Sequence, residues 1–390
     1  MSTQARVCLF SQRHLLRQFY RCANYELEDT ICAVDDVAMV APVPTAGREK
    51  YIKWRRRLAH RVPGVPYHPG FDRVQITGDY DLFLTVCEFI DDLDAFDVVR
   101  GWRDHSRITA CYLTELWAQA IPKYRRLVRR LAEFDYIFVN CAATAEPLAE
   151  AIGRPCHFLL PGIDALRFSP GGTPPARVID VYSLGRRDPD VHSQLLGLRR
   201  NTGMFYLHDT YESQPNHDWS VKDFREHRRA TADLIQRSRF FVVNPAKVDF
   251  AHETAGQLEI GYRFFEGAAG GSVMIGRPVD NELFRANFNW PDAVISIPEH
   301  DRGVAELLEE LDGQPERIDR CRREGMRNML LRHDWAYRWE AMLGHMGLEP
   351  DHRLDEYKTR LAQRADLIGK SAMHGDTTSQ LKQNTVMRLV

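Results

Sequence analysis

Short apolar runs alternate with longer amphipathic stretches along most of the chain. The first series is "RVCLF", "VAMVAP", "DLFLTV", "ITACYL", "YIFVNC" and "CHFLL". Runs this short, bounded by helical segments, predict strands buried on both faces, the signature of a parallel sheet covered by helices. Between the last two runs, "AATAEPLAEAIG" predicts a helix that stops at Gly153, completing a strand–helix–strand unit. A second series, "VIDVYSL", "GMFYLHD", "FFVVNP", "SVMIG" and "AVISIP", begins after the Pro- and Gly-rich stretch "PGIDALRFSPGGTPPAR". Residues 162–176 are therefore the expected linker.

This pattern predicts two α/β domains, residues 1–165 and 171–349, with parallel sheets facing a central cleft. A helix at about 350–372 is expected to pack back on the first domain, and 373–390 to form a weakly ordered tail. Open α/β sheets bind ligands beyond the carboxyl ends of their strands, so the loops that follow the apolar runs are where chemistry is expected.

Composition narrows the class without naming a partner. The 390 residues are 44% hydrophobic and 27% charged, with a formal net charge of −2, as in a globular protein and unlike a basic nucleic-acid binder. No nucleic-acid partner is expected. Eight cysteines form no CxxC pair and several sit inside apolar runs, the pattern of reduced core thiols. "MSTQAR" passes into an apolar run too short for a signal peptide, so a cytoplasmic address is expected.

The stretch "EIGYRFFEGAAGGSVMIG" concentrates the candidate chemistry. Arg263 and Glu266 are three apart and share one face of a predicted helix. Gly261 precedes that helix, where bare backbone N–H groups suit a phosphate. Arg263 would neutralise a diphosphate and Glu266 would accept hydrogen bonds from sugar hydroxyls. The competing reading is a solvated surface ion pair.

Three matches resemble the GT-B glycosyltransferases. "YRFFEGAAGG" looks like the nucleotide-binding helix of glycosyltransferase family 4 and of the spore-maturation-protein-like branch, through Arg263, Phe265, Glu266, Ala269 and Gly271. "LPGIDALRFSP" resembles the "PNGVDxxxFxP" junction through Pro161, Gly162, Asp164, Phe168 and Pro170. "VYSLGRRDPDVH" resembles the strand-to-loop "GR" that supplies diphosphate contacts. The resemblance implies two Rossmann-like domains and a nucleotide-sugar site of Arg186, Arg187, Lys247, Gly261, Tyr262, Arg263 and Glu266. It also implies sugar transfer to a saccharide or lipid-linked acceptor, without a metal or a separate cofactor, and favours retention of configuration. The sequence departs from family 4 in having six residues between Glu259 and Glu266, and no lysine close after the "GR" arginine.

In the first domain, loops after strands offer Gln12 and Arg13 for acceptor contacts and His14, Glu88 and Glu115 for proton transfer. Each acid also fits a helix-start position favoured by the dipole. Asp79/Asp81 and Asp92/Asp94 spell DxD but are read as chance matches. The basic runs "YIKWRRRLAHR" and "PKYRRLVRR" suit either peripheral contact with anionic lipid or solvated helix faces balanced by "EFIDDLDAFD". The rival from another class is a catalytically silent relative that binds glycans or organises an assembly. A dehydrogenase is disfavoured because no GxGxxG follows "RVCLF".

Overall fold

A computed structural model describes residues 5–47, 70–210, 220–249 and 251–370, together with Trp54 and Leu58. The chain forms two compact units. The first comprises Met1–Leu160, Asp218–Arg225 and Arg338–Asp355, and the second Pro161–His217, Glu226–Tyr337 and Glu356–Val390.

In the first unit, β1 (Val7–Phe10), β2 (Val37–Val40), β4 (Tyr80–Phe89), β6 (Ser106–Glu115), β7 (Tyr136–Val139) and β8 (Cys156–Phe158) form one sheet in the order β2-β1-β4-β6-β7-β8. Every pairing is parallel. The small parallel ladder of β3 (Val74–Gln75) on β5 (Val99–Arg100) lies outside the apolar runs that the sequence marks. Phe10, Phe83, Phe96, Trp102 and Phe134 are buried together on one face, with Trp102 stacked on Phe134 at 4.7 Å. Helices α1 (Cys22–Val34), α2 (Arg125–Leu131) and α3 (Ala145–Ile152) cross between strands, and α3 stops at Gly153 as expected.

The second unit repeats the plan. β9 (Ile179–Ser183), β10 (Tyr206–His208), β11 (Ser238–Val243), β12 (Val273–Gly276) and β13 (Ile295–Ser296) form an all-parallel sheet, order β10-β9-β11-β12-β13. Its helices include α4 (Pro189–Thr202), α5 (Phe224–Gln236), α6 (Tyr262–Ala269), α7 (Gly303–Asp312) and α8 (Pro315–Asn328). In both sheets the chain leaves the first strand in one direction and later returns to its other side. That reversal opens a crevice at the carboxyl ends of β1/β4 and of β9/β11.

The unit boundaries differ from the expected 1–165 and 171–349. Asp218–Arg225 belongs to the first unit, although it lies in the middle of the second strand series. The return to the first unit is made by Arg338–Asp355, largely through α9 (Trp335–Met346). There Trp339 Nε1 donates to Asp35 Oδ2 at 2.9 Å, and Arg6 Nη1 donates to the Glu349 carbonyl at 2.7 Å. The final helix, α10 (His352–Lys370), has its first turn in the first unit and belongs to the second from Glu356 onward. Its Arg364 donates to the Pro170 carbonyl at 3.0 Å, and its Ala365 carbonyl accepts from Arg327 at 2.9 Å. The tail 373–390 lies outside the described residues.

The "LPGIDALRFSP" stretch has a structural task. Ile163 N donates to the His333 carbonyl, the Ile163 carbonyl accepts from Trp335 N, both at 3.1 Å, and Ala165 N donates to Asp334 at 2.8 Å. Asp164 caps the turn Ala165–Phe168 by accepting from Arg167 N at 2.9 Å. A side chain at Gly162 would come within 2.6 Å of the Trp335 ring.

Candidate functional site

The crevice of the second sheet is bordered by the loops after β9 and β11 and by α6. Gly185, two residues past β9, has φ +80°, a conformation that glycine adopts without strain. Its N–H donates to the Asp209 carboxylate at 3.2 Å, and a side chain there would meet the Arg263 guanidinium at 3.4 Å. Arg263 thus lies against the bare backbone of the "LGRR" loop.

Glu266, one turn further along α6, is buried and its two carboxylate oxygens are divided between two arginines. Oε1 accepts from Arg228 of α5 and Oε2 from Arg263. Burial by itself would raise this carboxyl's pKa; the Arg263 and Arg228 charges outweigh burial and hold it at about 2. Glu266 is therefore a fixed anion between two cations, correcting the reading of a solvated surface pair. Arg228 is itself buried, with its guanidinium 4.6 Å from the Phe168 ring centre. Arg263 is 28% exposed, so one of the two cations faces the surface.

The remaining residues of the expected donor site border the same crevice. Arg187 is turned onto Asp209, bonding its carboxylate and, at 2.8 Å, its carbonyl. Arg186 pairs with Asp249 at 3.1 Å and Lys247 with Glu253 at 3.0 Å, both partners following β11. Lys247 takes a left-handed φ of +56°, and the Lys247 hydrogen bond lowers the Glu253 carboxyl pKa. That loop abuts the start of α6, where Ala246 N donates to the Glu259 carbonyl at 3.1 Å. No side chain caps α6 at Gly261, and Tyr262 follows with its ring 6.1 Å from Trp335. Glu259 is buried and accepts from Gln257 at 2.7 Å.

In the first unit, Glu88 and Glu115 end the neighbouring strands β4 and β6, where Phe89 lies opposite Glu115 in register. Glu88 is buried and its Oε2 accepts from Asn24 at 2.7 Å and from Thr114 at 3.0 Å. Burial, then repulsion from Glu115, pushes its pKa up to about 8, against the pull of Arg21. Glu115 is partly buried and accepts from Trp117 Nε1 at 3.4 Å. Gln12 and Arg13 turn inward: Gln12 donates to the Asp92 carbonyl at 3.0 Å and Arg13 pairs with Glu28 and Asp29, both at 2.8 Å. His14 of the same loop is exposed.

Both DxD pairs have other partners. Asp92 holds Arg21 at 2.6 Å and caps the Glu88 and Phe89 N–H groups, and Asp94 pairs with Arg126. Asp79 faces His105 at 3.2 Å and Asp81 faces Arg107 at 3.5 Å. In "PKYRRLVRR", the pairs Arg126–Asp94 and Arg130–Asp97 join the basic run to the acidic segment, as the solvated-face reading requires. The other basic run's Lys53, Arg55, Arg56, Arg57 and Arg61 lie outside the described residues. Among the described residues no helix is long and apolar enough to cross a membrane.

Arg228, Asp209 and Asp249 were not singled out from the sequence. Arg228 did leave a signal. Thr231, Ala232 and Ile235 form the buried face of α5, and the arginine lies in register with that face three to seven residues earlier. A buried arginine on an apolar stripe demands an acid.

A family model described as "Glycosyl transferase-like" matches residues 182–344, which contain every residue of the second-unit crevice. No curated protein matches the sequence. Among solved structures, an alpha-glucosyltransferase in complex with UDP is similar at 12% identity, over 88% of this chain and 100% of that one, with a TM-score of 0.55. An alpha-glucosyltransferase bound to UDP and a 13-mer DNA containing a HMU base matches at 12% identity, over 87% and 99%, with a TM-score of 0.53. HepE from Anabaena, in complex with UDP-glucose, matches at 9% identity, over 88% and 100%, with a TM-score of 0.48. The chain has the GT-B fold of glycosyltransferases, and its second strand series carries the match to the glycosyl transferase-like family.

Proposed function

We propose that this protein is a glycosyltransferase that moves a hexose-type sugar from a nucleoside diphosphate sugar to a hydroxyl of a saccharide, free or lipid-linked. The observation that carries the reading is the buried Arg228–Glu266–Arg263 cluster set against Gly185 at the strand-order reversal of the second sheet. An ionised carboxylate held in place by two arginines accepts hydrogen bonds from ribose hydroxyls without reorganising. Arg263 sits beside bare loop backbone and the uncapped start of α6, and a diphosphate there would meet positive charge from Arg263, Arg186 and Lys247. That is where negative charge grows as the sugar bond breaks, and these cations supply the stabilisation without a metal. The UDP bound by the similar alpha-glucosyltransferase makes a uridine donor the first choice to test.

On the acceptor side, Glu88 and Glu115, at the ends of neighbouring strands, are the candidate proton-transfer groups. Glu88, its pKa pushed up to about 8, keeps its proton at neutral pH and takes one from a hydroxyl only in its ionised fraction. His14 is the alternative base. Resemblance to family 4 favours retention of configuration.

A second reading, a silent binder of glycans, draws on the engagement of Arg187 by Asp209 and the absence of a lysine after "LGRR". Donor turnover separates the two. Incubated with UDP-glucose and other nucleotide sugars, the protein should release nucleoside diphosphate, and Arg263→Ala should cut release at least about tenfold. Binding without release would favour the silent binder, and neither binding nor release would refute both.

A further inference from the structure

The first unit contains a cavity of about 380 Å³ beside the loop after β1, and its walls are rich in cations. Arg13, His14 and Arg17 come from that loop, and Lys222, Phe224 and Arg225 from the segment the second strand series contributes to this unit. The two walls are joined by the Val221 N–H donating to the Arg17 carbonyl at 2.7 Å and by a backbone bridge from Gln18 to Ser220.

The cations differ in how they are engaged. Phe224 lies between two guanidiniums, Arg13 at 5.0 Å and Arg225 at 4.9 Å from its ring centre. Both arginines are held by Asp29, Arg13 at 2.8 Å and Arg225 at 2.6 Å, and Arg13 also by Glu28. The Asp223 carboxylate accepts from Arg225 N at 2.8 Å. Arg17 and Lys222 are exposed, and among the described residues their side chains make no ion pair or hydrogen bond. Glu28 and Asp29 are thus matched by the two fixed arginines, and Asp223 adds one carboxylate to the lining, against which Arg17 and Lys222, with His14 beside them, set two further cations facing the cavity. Two separate cations match a dianion better than a singly charged carboxylate.

We propose that this cavity binds a phosphate group carried by the acceptor, with Arg17 and Lys222 as its cationic contacts. The proposal rests on the glycosyltransferase reading and names the chemical class of its acceptor. The phosphate is either part of a soluble phosphate ester or the headgroup of a lipid.

The test uses the full chain with its donor site filled by saturating UDP, or whichever nucleoside diphosphate it binds. Inorganic phosphate is then titrated by calorimetry, and phosphatidic acid vesicles are tested by co-sedimentation, both at constant ionic strength. The expected result is binding of one or both probes that weakens about tenfold or more in Arg17→Gln and in Lys222→Gln, while nucleoside diphosphate affinity stays unchanged. Vesicle binding alone identifies a lipid source, and phosphate binding that vesicles do not reproduce identifies a soluble one. Absence of binding to both, or equal binding by wild type and variants, overturns the proposal. If no nucleoside diphosphate binds, the functional reading fails on that result. The phosphate titration is then repeated on Arg263→Ala protein, where loss in Arg17→Gln still decides.

Discussion

Glu88 is a carboxyl on which burial and a neighbouring like charge act in the same direction. Its pKa rises from an ordinary 4.5 to about 8, so the folded protein keeps a proton that the unfolded chain releases across that window. Stability is therefore unaffected by this group below pH 4.5, falls as pH rises towards 8, and stays lowered above that. Replacing it with a neutral isostere removes the slope. Glu88→Gln should gain stability relative to wild type between about pH 5 and about pH 9, by on the order of 1 kcal/mol or more at the alkaline end. Urea unfolding across that range checks this, and a pH-independent difference would contradict it. The proposed acid–base role of Glu88 rests on fold neighbours, Asn24, Thr114 and Glu115, that are far apart in sequence. The sequence could place Glu88 at a strand end but could not reveal that a second carboxylate ended the adjacent strand.

At the scale of elements, α6 is held close to the sheet by the small residues that precede β12. A Cβ at Gly267 would fall 2.7 Å from Phe241 and 3.0 Å from Met274, on the strands β11 and β12 that α6 covers. Gly267→Ala should therefore cost about 1–3 kcal/mol and displace Arg263 and Glu266 together. Gly197, inside α4, faces open space: a Cβ added there would meet nothing within 4 Å, so Gly197→Ala should instead stabilise by up to about 1 kcal/mol. Thermal unfolding of the two variants tests both signs in one experiment. This level was the most legible in the sequence. Strands buried on both faces leave continuous apolar runs, and all eleven strands of the two main sheets fall on runs that the pattern marks. The strands β3 and β5 lie on stretches that the pattern does not mark.

For the whole molecule, alternation of strand and helix was enough to predict two parallel α/β units, because each needs its own core and its own crossovers. Where the chain passes between them was not legible. Asp218–Arg225 carries no periodic pattern, and α10 has one amphipathic face that fits either unit until contacts such as Arg364 with Pro170 are seen. The site was half legible. Arg263 and Glu266 stood out by spacing, whereas Arg228, which makes Glu266 a fixed anion, is brought in from 38 positions away. The partners of Gln12 and Arg13, the Asp92 carbonyl and the Glu28 and Asp29 carboxylates, are brought in by the fold and were not visible from the loop's polar sequence. The proposed activity depends above all on the Arg263–Glu266 crevice binding the nucleotide of the donor. Calorimetric titration of UDP, GDP, ADP and dTDP into wild type and Arg263→Ala tests this most directly. At least one nucleotide should bind, and the variant should weaken it by about 1.5–3 kcal/mol while remaining folded. Binding that is identical in the variant, or no binding of any of the four by the wild type, would contradict it.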